Sequence, residues 1–122
     1  MIRPDMFIVY VRDVAATADF YRQLFGIEPA FFPSPGFATF DLGGGVQLAL
    51  WSSHDDALSG DPRRTSEICL CLPGGAEQIE QQYLTWVSLG VTVAEKPHDE
   101  VFGRTFMIVD PDGNLIRVAP VD

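Results

Sequence analysis

Cys69 and Cys71 lie two apart in the run Glu67-Ile68-Cys69-Leu70-Cys71-Leu72, so on an extended strand both thiols leave the same face. Such a pair can supply soft ligands. The chain's only two cysteines cannot build a disulfide framework, however, and they read as small apolar residues of a buried strand. The histidines offer less. His54 falls in a polar stretch and His98 follows Pro97 in a loop, so both read as exposed side chains sharing no strand face with Glu67. Asp110 and Asp112 belong to Asp110-Pro111-Asp112-Gly113-Asn114. There Asp accepts backbone hydrogen bonds, Pro fixes φ and Gly or Asn takes positive φ, which makes them turn residues rather than catalytic acids. Glycines 43 to 45 precede no helix and form a hairpin turn, not a phosphate cradle. No Ser-His-Asp order with supporting context and no Cys-His nucleophile signature is present.

The elements that position these residues are written twice. Met6-Phe7-Ile8-Val9-Tyr10-Val11 lines up with Glu67 to Leu72, and Leu24-Phe25-Gly26 with Ser88-Leu89-Gly90. A repeat of half the chain implies two similar units, each too small to close its own core, with function where they meet. In the first strand Phe7, Val9 and Val11 face one way and Met6, Ile8 and Tyr10 the other. Asp13 or Thr17 caps a helix whose apolar stripe is Phe20, Tyr21 and Leu24, and Gly26 stops it. Pro and Gly punctuate 29–36, and 37–42 and 46–51 form a hairpin. Residues 52–64 are polar and irregular. The second unit predicts a strand over 67–72, then a helix over 76–89 with Ile79, Tyr83, Trp86 and Val87 inward. A short strand over 91–94, a loop over 97–103 and a hairpin of 105–109 with 115–118 complete it. Modules 1–53 and 65–122 with a linker 54–64 follow from this spacing.

Composition narrows the functions. At 122 residues and 47% apolar content the chain supports a folded core. Its apolar runs are too short to span a bilayer, and without a charged-then-apolar leader a cytoplasmic protein is the expectation. A net charge of −9 argues against nucleic acid, which needs clustered Lys and Arg, and the short apolar runs lead to the expectation of no membrane partner.

The repeated strand-helix-three-strand plan, Phe20-Tyr21 in the first helix and Asp110 to Asn114 before the last strand resemble the vicinal oxygen chelate superfamily. That group contains glyoxalase I, ring-cleaving dioxygenases, fosfomycin resistance enzymes and bleomycin-binding proteins. Arg64 to Ile68, Leu72-Pro73, Val101-Phe102-Gly103-Arg104-Thr105-Phe106 and Ile116-Arg117-Val118 resemble members that confer resistance to phenazine antibiotics. So do Val9-Tyr10-Val11 and Trp51-Ser52. The resemblance implies an α+β fold of two βαβββ modules (the glyoxalase/bleomycin resistance fold) with mixed curved sheets. It also implies a homodimer in which the first unit of one chain pairs with the second of another.

Enzymes of this superfamily hold a divalent metal with about four His and Glu side chains, two from each unit. By position, the ligands fall on Met6, near Leu48 or Leu50, on Glu67 and on Arg117. A hard dication wants several oxygen or imidazole ligands, and a fixed guanidinium repels it. The resemblance therefore implies no metal, no cofactor and no catalytic residue. The faces that would have held metal carry Met6, Ile8, Tyr10, Cys69 and Cys71, with Phe32, Phe40, Trp51, Phe102 and Phe106 as nearby aromatics. Flat aromatic compounds bind such walls by stacking and apolar burial. Trp51 closes a strand before the polar stretch, where a cavity rim would lie. Glu67 and Arg117 stand at matching positions of adjacent strands. They form either an internal pair in place of the metal or a site in which Arg117 meets a ligand carboxylate and Glu67 orients it. Two classes of function follow: sequestration of a planar aromatic, phenazine-like antibiotic, and a metal-dependent lyase, transferase or dioxygenase with an atypical ligand set.

Overall fold

The computed structural model describes residues 2–60 and 63–121. The chain divides into two compact units, Met1–Pro62 and Arg63–Asp122. In the first, β1 (Met6–Tyr10) leads into α1 (Val14–Phe25), followed by β2 (Phe31–Ser34), β3 (Phe37–Gly43) and β4 (Val46–Trp51). The sheet order is β1-β4-β3-β2, with β1 parallel to β4 and the others antiparallel. The second unit repeats it with β5 (Glu67–Leu72), α2 (Gly75–Ser88), β6 (Thr92–Glu100), β7 (Gly103–Val109) and β8 (Leu115–Pro120), in the order β5-β8-β7-β6. Two four-stranded mixed sheets, each βαβββ in layout, thus give the α+β class that the sequence predicts.

Local signals account for the helix boundaries. The Asp13 side chain accepts from the Ala16 amide, so Asp13 and not Thr17 is the cap of α1. Thr17 is instead buried in the first turn with Val14 and Ala18. Gly26 ends the helix at φ 71°, a left-handed conformation that glycine adopts without cost, and its N–H reaches the Arg22 carbonyl. In α2, Ile79 and Trp86 are buried as predicted, but Val87 is exposed, being a quarter-turn beyond the stripe that meets the sheet.

Three segments differ from the sequence reading. Residues 31–34 form β2 in spite of Pro33, and β6 runs straight through Pro97 where a loop was predicted. Both are edge strands, where a missing N–H costs no ladder bond, and the β6–β7 register shifts between Glu95 and His98. Within the polar stretch 52–64 lies a short 3₁₀ turn, Asp55–Leu58; Leu58 is buried, and its carbonyl accepts from the Arg12 guanidinium.

Each unit packs its helix on one face of its sheet. Tyr21 of α1 lies against Phe40 of β3 with ring centroids 6.4 Å apart. Tyr83 and Trp86 of α2 meet Phe106 of β7 edge-on at 5.3 and 5.8 Å. Phe40 and Phe106, expected among the cavity aromatics, are therefore fully buried core residues under the helices. Their strand parity decides it: Phe40 aligns with Leu48 and Phe106 with Val118, both buried on the helix side. Replacing Phe106 by Ala should lower stability by about 3–5 kcal/mol in urea denaturation. Phe102→Ala, at the exposed tip of the β6–β7 hairpin, should change it by no more than about 0.5 kcal/mol.

Candidate functional site

The face of each sheet turned away from its helix carries the chemistry, and the strand registers say which residues share it. In the first unit Met6, Ile8 and Tyr10 stand beside Gln47, Ala49 and Trp51, and these beside Asp41, Thr39 and Phe37. At one end of this face the aromatics gather. Trp51 meets Tyr10 and Phe37 edge-on, each at 6.4 Å. His54, just past the end of β4, lays its imidazole flat on Tyr10, with centroids 4.0 Å apart and planes 8° from parallel. The same imidazole stands edge-on to Trp51 at 4.5 Å. The expectation of an exposed, uninvolved His54 is thereby corrected. The missed signal is its distance of three residues from Trp51, close enough to fold back over the strand end.

The second unit carries charge on the corresponding face. Cys69 of β5, Arg117 of β8, Met107 of β7 and Glu95 of β6 form one row across the sheet. Arg117 Nε donates to Glu67 Oε1 at 2.7 Å and Nη2 to Glu67 Oε2 at 2.9 Å, a bidentate fork. Nη1 donates to Thr105 Oγ1 at 3.2 Å, and Nη2 also approaches Glu95 at 3.4 Å and the Met107 sulfur at 3.6 Å. Thr105 Oγ1 in turn donates to the Val118 carbonyl at 2.6 Å, which points its lone pairs at the guanidinium. Glu67 aligns with Leu115 and Arg117 with Cys69, so the pair is diagonal rather than at matching positions. His98 lies on this sheet face and not in a loop: it aligns with Thr105, and its Nε2 stands 3.7 Å from Glu95 and 3.6 Å from Glu100.

The electrostatics follow. The hydrogen bond from Arg117 holds the Glu67 carboxyl below its ordinary value against the opposing effect of burial, and the same bond holds the guanidinium's value up. Cys69 and Cys71 are exposed on this face in place of the expected buried strand. Partial burial, then the neighbouring Cys71, push the Cys69 thiol up, so it stays protonated near neutrality.

Of the residues singled out from sequence, the first unit brings Met6, Ile8, Tyr10 and Trp51 to one face, and the second brings Glu67, Cys69 and Arg117 to another. Phe102 sits apart at its hairpin tip, and Phe40 and Phe106 lie beneath the helices. Met6 aligns with Gln47 and Glu67 with Leu115, so the registers of the two units match each other residue by residue. Two residues further on, Ala49 corresponds to Arg117; Leu48 and Leu50 are buried on the helix side. Among the described residues no three His, Cys, Asp or Glu side chains converge as ligands. Asp110 is buried in its own turn, accepting from the Asp112 and Asn114 amides at 2.8 and 2.9 Å, as its sequence context predicts. A groove of about 310 Å³ between the end of β5 and α2, lined by Leu72, Pro73, Gln78, Gln81, Gln82 and Thr85, has no aromatic or charged wall.

Comparison with known proteins agrees with this layout. The profile of the Glyoxalase/Bleomycin resistance protein/Dioxygenase superfamily matches residues 3–118. The phenazine antibiotic resistance protein EhpR of Enterobacter agglomerans is 40% identical over 124 residues, covering 99% of this chain and 94% of the relative. Among solved structures, an Agrobacterium tumefaciens protein determined by solution NMR is 31% identical with a TM-score of 0.76, covering 98% of both chains. Lactoylglutathione lyase from the same organism is 23% identical with a TM-score of 0.71, over 98% of this chain and 93% of that one, a likeness of fold alone. No described helix is long and apolar enough to cross a membrane.

The Glu67 shift fixes a pH dependence. Its carboxyl releases the proton more readily in the folded protein than in the unfolded chain, so the pair's contribution is complete above the unfolded carboxyl value. It is lost as pH falls through the depressed folded value. Glu67→Gln should cost roughly 1 kcal/mol near pH 7, and the two proteins should converge in stability as the pH falls through the depressed folded value. Urea midpoints measured across that range test it; a constant difference would assign the loss to packing.

Proposed function

The chain belongs to the Glyoxalase/Bleomycin resistance protein/Dioxygenase superfamily, and we propose that within it this protein is a resistance protein that works by binding. It sequesters a planar aromatic, phenazine-like antibiotic in the cytoplasm without changing it and without a metal. The observation that carries this reading is the stacked aromatic end of the first unit's open face, where Tyr10 already accepts a flat ring at 4.0 Å beside Trp51 and Phe37. Similarity to EhpR supports the substrate class, and the unsuitable donors at Met6, Ala49, Glu67 and Arg117 support independence from metal. Arg117 contributes through what it has left: Glu67 and Glu95 engage Nε and Nη2, and Thr105 takes one Nη1 hydrogen. One Nη1 hydrogen then remains for a ligand carboxylate, with Glu67 fixing the plane of the fork.

Tryptophan quenching by phenazine-1-carboxylic acid tests the proposal, with mass spectrometry of the recovered compound. Micromolar or tighter binding, unaffected by a chelator, with the compound returned intact, is the expected outcome. Trp51→Ala should weaken it by about 1–3 kcal/mol, roughly ten- to a hundredfold. Arg117→Ala should weaken the acid about tenfold more than its amide. Stoichiometric Ni, Zn, Mn or Fe in the purified protein, or chemical turnover of the compound, would overturn the reading in favour of a metal-dependent enzyme.

The same reading includes a homodimer with cavities at its interface. On the edge strand β1, Met6, Phe7, Ile8 and Tyr10 are all exposed within the chain. An apolar strand edge of this kind is a pairing surface or an aggregation hazard. Light scattering at micromolar concentration should give twice the chain mass, and a monomer would remove the interfacial cavity.

A further inference from the structure

The imidazole of His54 occupies the place where a flat ligand ring would stack. It is parallel to Tyr10 within 8° at 4.0 Å, a separation and tilt that suit any planar π-system, and it presents its plane edge-on to Trp51. Its backbone is held at both ends. On one side Ser52 donates from its amide to the Gly36 carbonyl at 3.0 Å, and on the other the buried Leu58 and its bond from Arg12 pin the 3₁₀ turn. The ring itself is held lightly, by the Ser53 hydroxyl against Nδ1 at 3.2 Å. Side-chain rotation alone therefore frees the Tyr10 face while the strap 52–58 stays in place.

We propose that His54 is a specificity-determining residue of the aromatic site, a resident occupant that a ligand must replace. The inference rests on the reading of the open face as an aromatic-binding site. Each binding event exchanges an imidazole–phenol stack for a ligand–phenol stack. Small or non-planar compounds, which stack no better than imidazole, gain nothing from the exchange. Extended ring systems cover Tyr10 and reach the Trp51 edge together, and so displace it. The occupant thus discriminates by ring area, and it covers part of the Tyr10 ring when no ligand is bound.

Phenazine-1-carboxylic acid is the probe, titrated against the parent, His54→Ala and His54→Phe, with the His54 imidazole protons of the parent followed by NMR. In the free protein those protons should be shifted upfield by the Tyr10 ring, and they should move toward the values of an unstacked histidine at saturation. His54→Ala should bind the probe roughly three- to tenfold tighter, and His54→Phe, a better stacking competitor, weaker by a similar factor. Imidazole protons that stay shielded at saturation, or an alanine variant that binds the same or more weakly, would make His54 a bystander or a wall of the site. Those results leave the binding reading intact when the parent still binds. Absence of quenching in the parent and both variants would overturn both together.

Discussion

Among the described residues each unit sets one α-helix against a four-stranded sheet, and the character of the two sheet faces follows from that shortage. α1 covers its sheet through Tyr21 on Phe40, and α2 covers its own through Tyr83 and Trp86 on Phe106. The opposite faces receive no helix. A sheet face left to solvent is ordinarily polar. Here the first unit sets Met6, Ile8, Tyr10, Trp51 and Phe37 there, at roughly 25 cal/mol for each Å² of apolar surface left wet. A sequence keeps such a face when something covers it for part of the time, and the imidazole of His54 already covers a portion.

The second unit solves the same exposure with charge. Arg117 is largely withdrawn from water, with 15% of its side chain exposed, and Glu67, Glu95 and Thr105 engage four of its five guanidinium hydrogens. A lysine would not serve, since its ammonium cannot span Glu67 bidentately while reaching Thr105 from the other side of the fork. The result is a cation fixed in orientation and flanked by two carboxylates. Anion recognition by its remaining hydrogen and coordination of a dication are mutually exclusive at this position, because the guanidinium would repel the metal at contact distance.

Most of the fold was legible because its signals are local. The aligned strands, Gly26 after the helix and the Asp110 to Asn114 turn each act within a few residues, and all three appear where the spacing puts them. What escaped depends on neighbours in space. Pro33 and Pro97 read as breakers because nothing in the chain announces that their strands lie at sheet edges. Phe40 and Phe106 went to the wrong side because an aromatic near a site and an aromatic in a core look alike until register fixes parity. His98 was lost with Pro97, since misreading the strand as a loop removed the residue from its face. The strand pattern put Trp51 at the end of its strand and Tyr10 on the open face, but nothing in it brings the His54 ring back against both.

The two units show where the repeat has changed and where it has not. On the helix side, Leu48 and Leu50 correspond to Ile116 and Val118, while Ala38 and Phe40 correspond to Phe106 and Ile108. Large and small exchange places there, but every position remains apolar, as a core of fixed total volume requires. On the open side the corresponding residues differ in chemical kind: Met6 and Glu67, Ile8 and Cys69, Tyr10 and Cys71, Ala49 and Arg117, Trp51 and Ala119. Packing constrains the first set and not the second, so the open faces were free to diverge, one toward stacking surface and the other toward a fixed charge.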